Sequence, residues 1–169
     1  MRKLFIMIFL LSLFNCEKNP ISHKEKFFDP QKLPLLSLSE VKNFWQDDSI
    51  KQISAYKGMF ADHPGFLAGI RCRGDKKGVI VYVFKSQADA IQAMEGRIKN
   101  VACVIQPGAS NETLAGKWWF SDCIPDIVFV CQWNTIIEVS CYSSDYAQVK
   151  ALLMETAAEI AKRVDAKSS

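Results

Sequence analysis

The succession of local patterns along the chain predicts an α+β domain, an antiparallel sheet with helices packed on one side. Three observations carry that expectation. Runs rich in β-branched and aromatic residues come in two groups, each followed by a helical segment. Short clusters of Gly, Asp and Asn punctuate the runs as turns. A long terminal segment repeats apolar residues at intervals of three and four, as a helix with one buried face does.

Ser37 with Glu40 three residues later is a capping-box pattern, and Leu38, Val41, Phe44 and Trp45 follow on one helical face. Asp47-Asp48-Ser49 ends that helix. Ile50 to Phe60 reads as a strand, Asp62-His63-Pro64-Gly65 as a turn, and Phe66 to Cys72 as a second strand. The segment from Arg73 to Gly78 is a hairpin-like turn. Val79 to Phe84 is wholly β-branched or aromatic, which predicts a central strand of the sheet. Ser86 then caps a helix whose apolar positions are Ala90, Ile91, Met94 and Ile98. Val101 to Ile105 and Lys117 to Phe120 read as strands on either side of the Gln106–Gly116 loop. Ile127 to Cys131 and Thr135 to Tyr142 form a hairpin turning at Trp133-Asn134, which sets Val130 against Ile137 and Val128 against Val139. The terminal helix starts near Ser143, with Tyr146, Val149, Leu153, Ala157, Ile160 and Val164 as its stripe. The second group of strands with its helix looks like the ferredoxin-like sensor or binding domains carried by bacterial lipoproteins, a likeness of pattern alone.

With 49% hydrophobic and 23% charged residues the composition is that of a globular chain and excludes a wholly disordered one. No apolar run reaches the ~20 residues that a membrane-spanning helix needs. Arg2 and Lys3 precede an apolar stretch from Leu4 to Phe14, the proportions of a secretory signal. Leu13-Phe14-Asn15-Cys16 follows, and here the chain resembles a bacterial lipoprotein signal of the loose, spirochaete-like kind. The resemblance implies cleavage before Cys16 and lipidation of its thiol and new amine. It divides the chain into a signal peptide (1–15), a lipidated cysteine with its tether (16–35) and one α+β domain (36–169). The implied partner is a membrane reached through the anchor, with the domain held in the cell envelope. In the tether, Pro20, Pro30 and Pro34 with many charges suit an extended spacer, while the adjacent Phe27 and Phe28 suit docking onto the domain. Loss of Arg2 and Lys3 leaves 19 basic against 18 acidic side chains, so nucleic acid is not an expected partner.

Export to an oxidising compartment favours disulfides among Cys72, Cys103, Cys123, Cys131 and Cys141. The pair expected first is Cys103–Cys123, which flanks the Gln106–Gly116 loop; buried thiols packing as small apolar groups are the alternative. No spacing matches a zinc site, the glycines match no phosphate-binding fingerprint, and no cofactor is expected. No catalytic residue is assigned. His63 beside Asp62 is the one base from which a small hydrolase or thiol-dependent enzyme is conceivable. Trp118, Trp119, Trp133 and His63 form the candidate surface for a ligand or partner, with core packing as the competing use of the tryptophans. The expected function is therefore non-catalytic binding of an envelope protein or a small ligand.

Overall fold

The computed structural model describes residues 26–45, 47–53, 55–100, 105–107, 117–121, 126–142 and 146–169. Cys16, Cys103 and Cys123 lie outside the described residues, and with them the expected lipidation site and the expected disulfide. Helix α1 spans Leu38–Trp45, strands β1, β2 and β3 span Lys51–Ile53, Phe66–Arg73 and Lys77–Phe84, and α2 spans Gln87–Lys99. Strands β4 (Ile105–Pro107), β5 (Lys117–Ser121), β6 (Asp126–Gln132) and β7 (Thr135–Cys141) follow, and α3 (Tyr146–Lys167) closes the chain.

The seven strands form one antiparallel sheet in the order β1-β2-β3-β7-β6-β5-β4. The α+β class and the interior place of β3 agree with the sequence. The likeness to ferredoxin-like domains extends to a helix on an antiparallel sheet but not to strand order, because β4 to β7 run as a sequential meander. The β6–β7 hairpin has the expected register, with Val130 opposite Ile137 and Val128 opposite Val139. The strand expected over Ile50–Phe60 is cut short after Ile53, and a 3-10 turn occupies Gly58–Phe60. Pro107 lies in β4, at the sheet's edge, where the missing amide hydrogen costs no ladder bond.

The helices divide between the two faces, whereas the sequence placed them on one. Val79, Val81 and Val83 of β3 point into a core shared with Val41 and Trp45 of α1 and with Leu153, Ala157, Ile160 and Val164 of α3. Ile80, Tyr82 and Phe84 point the other way, against Ala90, Ala93 and Met94 of α2 and Phe60 of the 3-10 turn. Period-two alternation leaves a wholly apolar strand greasy on both sides, so both must be covered. Trp45 Nε1 donates to Thr156 Oγ1 (3.1 Å), tying α1 to α3.

Both anticipated caps are present. Ser37 Oγ accepts from the Glu40 amide (3.2 Å) while the Ser37 amide donates to Glu40 Oε2 (2.8 Å). The Ser37 amide and hydroxyl, which both donate to Glu40 Oε2, hold the Glu40 carboxyl down at about 2 with Arg163 beside it. Ser86 Oγ accepts from the Asp89 amide (3.0 Å). Ser86→Ala is expected to lower the unfolding free energy by about 1 kcal/mol in urea titration, the usual cost of an N-cap.

The packed body begins earlier than the expected boundary at residue 36. Phe28 is 0% exposed and Leu35 is buried, both in the first core. Phe27 and the C-terminal Ser169 exchange two backbone hydrogen bonds (3.0 and 3.1 Å), so Lys26–Leu35 is part of the domain and not a spacer. Burial of two apolar side chains outweighs the entropy a free tether would keep.

Candidate functional site

The pairing of β2, β3 and β7 builds a polar floor on the α2 face. Arg71 and Glu138 are the cross-strand partners of Ile80, on either side of it. One row further along, Arg73 and Ser140 flank Gly78 in the same way. Gly78 has no side chain, so this row is hollow, and a cavity of about 110 Å³ opens there. Arg71, Arg73, Gly78, Glu138, Ser140 and Tyr56 line it. An added Cβ at Gly78 would stand 3.1 Å from Ser140 Oγ and 3.8 Å from Arg73 Cγ, within the hollow.

The charges of this cleft are unbalanced. The Arg71 guanidinium lies over the Tyr56 ring, 4.3 Å from its centroid, which fixes its plane. Among the described residues Arg71, Arg73 and Arg97 form no ion pair, and the Nε atoms of Arg71 and Arg97 are buried without a hydrogen-bond partner. The single carboxylate, Glu138, is 6% exposed and accepts from the Tyr82 hydroxyl (3.2 Å). Burial pushes its carboxyl up to about 7, against the opposing pull of the Tyr82 hydrogen bond and of Arg97, Arg71 and Arg73. Burial, then the nearby Glu138 charge, raises the Tyr82 hydroxyl far above its ordinary range, so Tyr82 remains a donor.

The residues singled out in the sequence lie elsewhere. His63 Nδ1 accepts from the Gly65 amide (3.1 Å), and its ring stands edge-on to Phe84, 5.6 Å between centroids. It thus serves the turn that it sits in. Cys72 and Cys141 are buried in the core on the opposite face of the sheet from Phe84, and burial raises both thiols, away from the nucleophilic thiolate. Trp119 is buried in the core under α2, while Trp118 pairs in register with Val130, its side chain outside the described residues. Trp133 is no free hairpin tip, since its Nε1 donates to Asp165 Oδ1 (2.8 Å) and the Lys26 ammonium lies 5.7 Å from its ring centroid. Core packing, weighed against a ligand surface for these tryptophans, is the use that the structure gives Trp119.

Arg71, Arg73, Arg97 and Glu138 were not signalled by any motif. One clue was available: Glu138 is the lone charge in the apolar run Thr135–Cys141, and a buried charge in a strand requires a local reason.

No protein-family model matches the chain, and no curated protein does. Among solved structures, the extracellular domain of PknH from Mycobacterium tuberculosis is similar at 15% identity and a TM-score of 0.48, over 77% of this chain and 92% of that one. Among the described residues no helix is long and apolar enough to cross a membrane.

Proposed function

We propose that this protein is a lipid-anchored component of the cell envelope whose α+β domain is a non-catalytic binding module. The observation that carries the binding reading is the hollow at Gly78, where the Arg71 and Arg73 guanidinium groups, without ion-pair partners among the described residues, lie beside one buried carboxylate. Preformed concavity with a few fixed polar groups is how small-ligand sites are built. A small ligand is favoured over a partner protein because the polar groups converge within a cavity instead of spreading over a face. Among the described residues the contacts of the His63 ring are the Gly65 amide and the Phe84 ring, neither of them a nucleophile, so binding is favoured over the hydrolase reading.

The anchor rests on Leu13-Phe14-Asn15-Cys16 following an apolar stretch. Two or three acyl chains, at ~0.8 kcal/mol per buried methylene, hold a domain at a membrane stably. Protein purified from membranes is expected to start at Cys16 and to carry a lipid mass increment. Cys16→Ser is expected to leave the membrane fraction. Unchanged membrane partition of that variant would refute the anchor.

A further inference from the structure

We infer that the cleft at Gly78 binds a small oxyanion, held by the Arg71 and Arg73 guanidinium groups over the bare floor that Gly78 leaves. The inference rests on the binding-module reading and gives its ligand a chemical class. Size sets the first limit. A cavity of about 110 Å³ is well below the ~300–1,000 Å³ of pockets for drug-sized ligands, so it takes one phosphate- or carboxylate-sized group. Charge sets the second. Arg71, Arg73, Lys76 and Lys77 bring four cationic side chains to the lining, while Glu138 is its lone acid. Guanidinium forks match planar carboxylate and tetrahedral phosphate oxygens in pairs. Stacking on Tyr56 orders Arg71 before the ligand arrives, which removes part of the entropic cost of binding. Ser140, whose Oγ lies nearest to the Gly78 position, adds a hydroxyl donor on the β7 side.

Glu138 makes the site sensitive to protons. It faces Arg71 and Arg73 from β2, Tyr82 from β3, Arg97 from α2 and Tyr56 ahead of the 3-10 turn, with apolar Phe129 as its neighbour on β6. Its negative charge repels an incoming anion, and its protonation removes that repulsion. An oxyanion is therefore expected to enter together with a proton at neutral pH, and to bind more tightly at pH 6 than at pH 8.

Calorimetric titration of the mature lipoprotein in non-ionic detergent at low salt tests this, with inorganic phosphate, succinate and uncharged succinamide as probes. Phosphate, succinate or both are expected to bind, and succinamide is not. Arg73→Gln, at an exposed position where folding is not at stake, is expected to weaken the anion by about tenfold or more. Gly78→Val is expected to abolish binding while thermal melting shows it folded; if it does not fold, Arg73→Gln decides alone. Glu138→Gln is expected to bind at pH 8 as the native protein does at pH 6. Succinamide binding as well as succinate, unmoved by Arg73→Gln, would overturn the oxyanion assignment yet leave a ligand site standing. Silence from all three probes would remove both the assignment and the cleft as the binding site. An anion whose affinity ignores pH in native protein and Glu138→Gln alike would overturn the proton coupling.

Discussion

Asn134→Ala is expected to lower the unfolding free energy by about 3–5 kcal/mol, among the largest effects of any single polar substitution in this domain. Asn134 is 1% exposed and sits in the β6–β7 turn. Its Nδ2 donates to Phe28 O (3.1 Å) and Phe84 O (2.8 Å), and its Oδ1 accepts from the Phe28 amide (2.7 Å). One side chain thereby joins the N-terminal segment, the end of β3 and the hairpin. Removing it strands three buried backbone groups, at ~1–3 kcal/mol each, less what water recovers as the segment lifts. Trp133 adds to the effect. Its φ of +52° is a left-handed value where such turns ordinarily place glycine, held in place by tertiary contacts that Asn134 helps to fix. Urea titration measures the loss, and hydrogen exchange at the Phe27 and Ser169 amides is expected to accelerate beyond the global change. A loss below about 1 kcal/mol with those amides unmoved would mean that the N-terminal segment is held by Phe28 burial alone.

The second large effect is on pH dependence. Glu138 in the folded protein takes its proton at about 7, above its ordinary value of 4.5. Between those values the folded state binds more protons than the unfolded one, so stability falls as pH rises. The contribution is fully present below the ordinary value and is lost as pH climbs through about 7. At a limiting slope of ~1.4 kcal/mol per pH unit, the loss across that window is about 3 kcal/mol. Glu138→Gln keeps a neutral group of similar shape and is expected to flatten the curve between pH 5 and pH 7.5. Parallel curves for the native and Glu138→Gln proteins in guanidinium titrations would place the ionised carboxylate comfortably among the arginines.

Much of this architecture was written locally. The Ser37/Glu40 and Ser86 caps, the Leu153, Ala157, Ile160 and Val164 part of the α3 stripe and the register of the β6–β7 hairpin each depend on residues a few positions apart, and each formed as read. Phe27 and Phe28 marked a segment too apolar for a free tether. The cleft was not legible, because its parts lie on β2, β3 and β7, and only the β3–β7 pairing sets Glu138 near Arg71. In the sequence Gly78 is only the end of a turn.

By itself, then, the chain determined its main helices, its hairpins and the α+β class. Periodicity says which residues turn inward, and capping and turn chemistry say where elements start and stop. The tertiary structure alone decided which strands are neighbours, that α2 covers the face opposite α1 and α3, and that a glutamate and two arginines share one hollow. Those depend on contacts between residues far apart in sequence, where backbone pairing rather than side-chain pattern chooses the partner.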